Sequence, residues 1–392
     1  MTISADDTKT ALVRWELSGV DEIDDLRLRF SSDRIDGFAG SGVLEQSAGY
    51  VRWVPGGPYA HLSYRVRIDH RRGRQQRYDS YAATDWIVTR ARDLFPRTLI
   101  NYTPRGKQAP KSRARLIFHL PAGWHSVTPH EPVGGDTFLL SEPGKVLDRP
   151  RGWFALGRLE VSQQEIADAM VLVARAPGST LDTAGLFRLY DRTLPLLRRL
   201  LPQPSDRILI VSAPDPMWHG GVSGAGSFFL HGDRPLRTPD QTSPYLHEMF
   251  HVLQPFKPAA DADWIEEGLA EYYSLELQRR TGLLDATDFM HGLEYLHRYG
   301  LWQVDLTKQQ DNAATNNSAP LIMYALDRRI QRATAGKRRL DDVVTALARA
   351  GGVVDTAHFQ REAERVAERA FGMFFRRHVI EGNPPQLREA RP

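Results

Sequence analysis

The chain has no cysteine among its 392 residues. That absence excludes disulfide frameworks, iron–sulfur clusters, thiolate zinc fingers and cysteine nucleophiles, so a catalytic metal would have to be held by His, Asp, Glu or water. Long apolar runs are missing too. Nothing approaches the roughly 18 consecutive apolar residues of a membrane span, and the N-terminus, MTISADDTKTALVRWELSG, lacks the basic start and apolar centre of a signal peptide. The expectation is a soluble protein without a membrane span, cytoplasmic as the sequence stands and periplasmic or secreted if a signal peptide was removed. Lysine is scarce: Lys9, Lys107, Lys111, Lys145, Lys257, Lys308 and Lys337 are the only ones, and arginine supplies the rest of the 51 basic residues behind a net charge of +3. The densest basic run, His70-Arg71-Arg72-Gly73-Arg74-Gln75-Gln76-Arg77, has no interleaved aromatics and reads as a solvated loop between strands. No nucleic-acid partner is expected.

What remains is an ordinary globular composition, 41% hydrophobic and 25% charged, long enough for two or three domains. Up to about residue 165 apolar residues recur at every second position, as in Ala11-Leu12-Val13-Arg14-Trp15-Glu16-Leu17 and Leu62-Ser63-Tyr64-Arg65-Val66-Arg67-Ile68, with turn clusters such as Pro55-Gly56-Gly57-Pro58 between them. This period predicts antiparallel β-structure. The histidines of this half, His61, His70, His119, His125 and His130, are scattered and read as core or surface residues. From Thr180 the spacing of Leu186, Tyr190, Leu194, Leu197 and Leu201 predicts an amphipathic helix ending near Pro202 and Pro204. Strands are then expected at 207–212 and 226–231, separated by the glycine-rich stretch Gly220-Gly221-Val222-Ser223-Gly224, and helices at 244–255, 264–281, 286–298, 318–335, 339–350 and 356–371. The strand carrying Phe228 and Phe229 is read as an exposed edge able to pair with an extended peptide. His219, His231, His291 and His297 read as structural, because none has metal-ligand spacing to the motif described next.

Two of the thirteen histidines stand in His247-Glu248-Met249-Phe250-His251. Four residues apart on a helix, both imidazoles lie on one face and can approach a single Zn²⁺, with Glu248 beside its water. A random chain of this composition contains such a pattern with probability about 0.02, so a second signal is needed. It is found in Trp264-Ile265-Glu266-Glu267-Gly268-Leu269-Ala270-Glu271-Tyr272-Tyr273. A zinc hydrolase needs a third protein ligand and an open fourth position, and Glu267 is placed to supply the ligand, with Glu266 as its competitor. Glu271, one turn further, would accept the outer N–H of a ligand histidine, His247 foremost. Trp264 and Ile265 are expected to pack this helix against the first.

These segments resemble the gluzincin metallopeptidases, and within them the glycyl aminopeptidase-like family. Leu120-Pro121-Ala122-Gly123-Trp124, Asp148-Arg149-Pro150-Arg151-Gly152-Trp153, Ala325-Leu326-Asp327-Arg328-Arg329-Ile330 and Leu340-Asp341-Asp342-Val343-Val344 extend the resemblance over nearly the whole chain. The resemblance implies an α+β protein: an antiparallel β-rich N-terminal domain, 1–168, then a thermolysin-like zincin catalytic domain, 169–392, with strands and active-site helices at about 205–282 and a helical subdomain at about 283–380. It implies one Zn²⁺ held by His247, His251 and Glu267, with Glu267 favoured over Glu266 because it precedes glycine. Glu248 becomes the general base of a metallopeptidase acting on a peptide or protein through a metal-activated water. Gly220, Gly221 and Ser223 fall in the substrate-side loop.

Three departures from the family pattern bear on activity. The chain stops at Pro392, which implies a form without the family's C-terminal PDZ domain. The stretch Gly221-Val222-Ser223-Gly224 lacks the glutamate that recognises a free α-amine in aminopeptidase relatives, so exopeptidase specificity is not carried over. The tyrosine that steadies the oxyanion aligns with Asn316-Asn317-Ser318-Ala319, ahead of the later helix, leaving Asn316 or Tyr324 to substitute. The alternative expectation is a weak or inactive peptidase-like protein that binds peptides.

Overall fold

Alternation builds the N-terminal half. In the strand Tyr59–Arg67, Ala60, Leu62, Tyr64 and Val66 are buried while the residues between them are partly or fully exposed, the signature of a sheet covered on one face. The computed structural model describes residues 1–73, 76–106, 111–142, 145–202, 206–308 and 312–387; Arg74 and Gln75 of the basic run and Pro204 lie outside the described residues. Met1–Gln163, Val171–Leu181 and Arg207–Arg234 form one compact unit, and Gln164–Met170, Asp182–Asp206 and Pro235–Pro392 the other.

In the first unit the strands Thr2–Ile3, Thr10–Ser18, Tyr59–Arg67 and Ile35–Gly40 make one sheet in that order, and Arg97–Tyr102, Ile23–Arg29, Tyr50–Val54 and Val43–Ser47 make another. Every pairing within these two sheets is antiparallel, as the alternation predicts. Leu26, Leu28, Val51, Trp53 and Leu62 close one core cluster, and Val13, Tyr64, Val66, Ile87, Phe118 and Phe154 belong to a second. A mixed sheet follows, ordered Glu160–Ile166, Ala169–Arg175, Arg207–Ala213, Ser227–His231 and Gly221–Gly224. The expected boundary at residue 168 falls in the turn between the first two of these strands.

The mixed sheet corrects one expectation. The strand Ser227–His231 is not an edge: it pairs in parallel with Arg207–Ala213 and antiparallel with Gly221–Gly224, and Phe228 and Phe229 are buried. The glycine-rich stretch read as a loop is itself the terminal strand. Gly226, with φ of +61°, makes the tight turn that folds it back onto its neighbour.

The second unit is helical. Its longer helices are α1 (Thr183–Leu200), α2 (Pro244–Leu253), α3 (Asp263–Arg280), α4 (Ala286–Tyr299), α5 (Asn312–Ala333), α6 (Leu340–Ala350) and α7 (Thr356–Ala367). Asp182 caps α1 by accepting the Gly185 N–H, and Pro244 opens α2 at a position where a missing N–H costs nothing. Helix α3 buries residues around its circumference, including Trp264, Leu269, Tyr272, Tyr273 and Leu275, which makes it the central helix of this unit. Helix α5 begins six residues before the expected 318, so Asn316 sits inside it. Among the described residues no helix is long and apolar enough to cross a membrane.

One buried titratable group of the first unit gives the fold a pH dependence. His130 Nε2 accepts the Arg151 backbone N–H at 3.0 Å, and burial, with the nearby Arg151 charge, pulls its pKa down to about 4. The unfolded chain binds a proton here near pH 6.5 and the native chain near 4, so stability is retained above 6.5 and lost as pH falls through that window. The expected loss is roughly 1–2 kcal/mol once partial exposure is allowed for. Urea midpoints of wild type and His130→Gln between pH 7 and pH 4.5 check it: the variant should show the shallower pH profile, and parallel profiles would contradict the assignment.

Candidate active site

Helix α2 sets the site. With His247 and His251 one turn apart, their Nε2 atoms lie 3.0 Å from each other and their ring planes are inclined by 72°. The helix is fixed from behind by its apolar face: Leu246, Met249, Phe250 and Leu253 are buried, Phe250 stacks on Tyr273 of α3 at 5.7 Å, and the Tyr190 hydroxyl of α1 donates to the Tyr245 carbonyl at 2.9 Å.

Helix α3 brings three carboxylates to the two rings. Glu267 places Oε2 3.3 Å from His247 Nε2 and Oε1 3.6 Å from His251 Nε2. Glu271 Oε2 is 2.7 Å from His247 Nδ1, and Glu266 Oε1 is 3.2 Å from His251 Nδ1. Each imidazole therefore has a carboxylate on its outer nitrogen, which favours the Nδ1–H tautomer and leaves the Nε2 lone pair facing inward. Two inward lone pairs and the Glu267 carboxylate then form a cluster made only of acceptors. The observed separations of 3.0–3.6 Å lie close to the roughly 3.3–3.6 Å edge of a tetrahedron around a dication bound at about 2.0–2.2 Å. The residues present therefore fit a zinc-class ion with one coordination position left open.

Without a metal the same carboxylates favour a proton in its place. Burial would raise the Glu267 carboxyl, yet its hydrogen bond to His247 and the charge of both rings bring it down to about 2. For His247 burial opposes the proton, and Glu267 and Glu271 more than reverse this, holding the ring well above the ordinary imidazole range. Glu248, 8% exposed, is pushed up by burial and partly restored by the two histidines.

Glycine determines how α3 is backed. A Cβ on Gly268, the residue after Glu267, would stand 2.8 Å from the Ala319 Cβ of α5, so only glycine permits the two helices to approach this closely. Ile265 is buried, and so is the Trp264 indole. Its Nε1 donates to Thr356 Oγ1 of α7 at 3.1 Å, and its ring meets Phe359 edge-on.

Of the residues singled out from sequence, the structure groups His247, His251, Glu267, Glu271 and Glu248. Tyr324 is not among them. It lines a cavity of about 700 Å³ with Tyr272, Glu276, Arg279, Phe289 and Asp327, and Glu276 is nine residues, or about 13 Å, along α3 from Glu267. The oxyanion role for Tyr324 is withdrawn on this ground. Asn316 is half-buried on α5, one turn before Ala319, and its Oδ1 accepts no protein hydrogen bond. Gly220, Gly221 and Ser223 belong to the first unit. Glu266, which the sequence presents only as a rival ligand to Glu267, instead faces the outer nitrogen of His251, as a second histidine of this kind also needs an acceptor there.

No family model and no curated protein sequence matches the chain. Solved structures do match its fold. An aminopeptidase N family protein from Idiomarina loihiensis aligns with a TM-score of 0.69 and 15% identity over 97% of this chain and 74% of that one. An M1 zinc metallopeptidase mutant from Deinococcus radiodurans, bound to a Tyr-Ser-Ala substrate, aligns with a TM-score of 0.62 and 16% identity over 97% and 92%. Legionella pneumophila aminopeptidase A in complex with aspartic acid aligns with a TM-score of 0.56 and 13% identity over 95% and 48%. The chain thus has the fold of the M1 zinc aminopeptidases.

The close helix contact behind Glu267 generates a direct check. Gly268→Ala should lower stability by about 1–3 kcal/mol through overpacking against Ala319. Denaturant unfolding measures this, and an unchanged midpoint would show that α5 gives way without cost.

Proposed function

We propose that the chain is a zinc-dependent metallopeptidase of the gluzincin type, similar to the glycyl aminopeptidase-like family, that hydrolyses bonds in a peptide or protein substrate. One observation carries the reading: His247 Nε2, His251 Nε2 and the Glu267 carboxylate converge at 3.0–3.6 Å while carboxylates occupy both outer imidazole nitrogens. The likeness of the fold to proteins named as zinc metallopeptidases supports it.

A zinc ion held by these three residues would polarise the substrate carbonyl and acidify a water molecule. Glu248 follows His247 on α2 and is buried beside the rings, where it takes one proton from the attacking water. The water oxygen joins the carbonyl carbon, the C–N bond breaks, and Glu248 returns the proton to the departing amine. Glu271 and Glu266 hold the rings in the tautomer that keeps Nε2 available. Asn316 remains the candidate to steady the oxyanion. Gly220, Gly221 and Ser223 keep the substrate-binding role that the family resemblance implies. Ser223 offers a hydroxyl where an aminopeptidase needs an anion, so the proposal is for peptide-bond hydrolysis without a commitment to N-terminal trimming.

The test combines metal content with cleavage of a peptide mixture. Glu248→Gln should keep its zinc and lose about 10²–10⁴-fold in rate. Glu271→Ala should weaken zinc binding by about 10–100-fold in chelator competition, because His247 loses its acceptor. Zinc bound without any Glu248-dependent cleavage would make the chain a peptide-binding protein instead.

A further inference from the structure

The first unit contains a second convergence of metal-ligating side chains, built by a different piece of backbone. The strands Arg207–Ala213 and Ser227–His231 pair in parallel with Ala213 opposite His231, so the chain leaving Ala213 passes directly over the end of the neighbouring strand. Gly232 N–H donates to the Ala213 carbonyl at 2.9 Å and fixes that junction. The loop 214–219 is pinned on its other side, where Tyr78 N–H donates to Pro216 O at 3.1 Å and Trp218 N–H to Tyr78 O at 3.0 Å. The Arg72 guanidinium covers the Trp218 ring at 3.6 Å. Asp215 and His219 are thus carried on a fixed loop against His231.

The side chains meet there. His219 Nε2 lies 2.8 Å from Asp215 Oδ1, His231 Nε2 lies 3.6 Å from the same oxygen, and the two imidazole rings are 4.0 Å apart. One ligand atom from each of the three residues falls within 4.8 Å of the others. His231 is decisive. It is 2% exposed, its Nδ1 faces the Asp233 carboxylate, and its Nε2 has no hydrogen-bond partner. Asp233 fixes the Nδ1–H tautomer, so a buried lone pair is aimed at Asp215 with nothing to satisfy it. An orphaned buried acceptor is costly, and a carboxylate behind a histidine with its other nitrogen bare is the arrangement that holds a metal ligand in place.

We infer that Asp215, His219 and His231 form a second binding site for a zinc-class dication, with Asp233 orienting His231 and solvent able to reach the fourth position. Two imidazoles and one carboxylate suit zinc and its neighbours rather than calcium or magnesium. Arg77 also pairs with Asp215 Oδ1 and is 38% exposed, so the cation that neutralises Asp215 without metal is free to swing away when the metal arrives. Bound there, a dication ties the loop 214–219 to the end of the Ser227–His231 strand and so braces the Gly221–Gly224 strand between them. The inference does not depend on the peptidase reading.

The test is zinc stoichiometry by elemental mass spectrometry on the full chain, after exposure to zinc and passage over a chelating resin, with the visible spectrum of the cobalt-loaded protein as a second readout. The double variant His247→Ala/His251→Ala removes the helical site. It should still hold one equivalent of zinc and show tetrahedral cobalt absorption, and adding the exposed substitution His219→Ala should abolish both. The inference is overturned if the double variant holds no zinc, or if its zinc is indifferent to His219→Ala. The two proposals fail separately: wild-type zinc lost with His219→Ala but kept in the double variant would leave this site standing and remove the helical one.

Discussion

The site in the helical unit depends on two imidazole nitrogens, His247 Nε2 and His251 Nε2, brought 3.0 Å apart by one turn of α2. Left with lone pairs facing each other and a carboxylate beside them, they repel; with a dication between them, the same geometry becomes a chelate. Without a metal, Glu267 and Glu271 favour a proton on His247; where a metal takes the proton's place, Glu271 and Glu266 on the outer nitrogens leave the inner atoms as acceptors. Three consecutive requirements of the chemistry, a ligand carboxylate and two tautomer-fixing ones, are met by residues of a single helix.

The other end of that helix carries a separate ion-pair cluster. Glu276 is 2% exposed and accepts from Arg279, Arg280 and Arg339, while Arg280 also pairs with Asp341 at 2.6 Å. Burial alone would raise the Glu276 carboxyl, and the arginines hold it below its ordinary value. Gly268 lies within the first cluster and Tyr272 and Tyr273 lie between the two, and their packing keeps α3 at fixed distances from α2 and α5. The arrangement of the carboxylates around the two rings is therefore set by packing, and Glu276 is satisfied within the unit.

Much of this was legible in the sequence where one physical signal dominated. The period-two pattern of Tyr59–Arg67 and the i, i+4 spacing of His247 and His251 each admit one local geometry. The choice of Glu267 over Glu266 rests on the family resemblance, and Glu271 follows from it by one helical turn. Signals that depend on pairing partners were not legible. Phe228 and Phe229 look the same in an edge strand and an inner one, and only the fold of Gly221–Gly224 back onto them distinguishes the two. Tyr324 reads as a hydroxyl donor in sequence, but the register of α5 against α3 turns it toward Glu276. His219 and His231 have no ligand spacing along the chain because their convergence is made by a parallel strand pairing across eighteen residues.

The central claim is that His247, His251 and Glu267 hold one metal ion through their inward atoms. Anomalous diffraction at the zinc edge from crystals of zinc-loaded protein tests it most directly. The account predicts a peak about 2.0–2.2 Å from His247 Nε2, His251 Nε2 and a Glu267 carboxylate oxygen. A map with no peak between the two rings, or with zinc bound through Glu266 in place of Glu267, would contradict it.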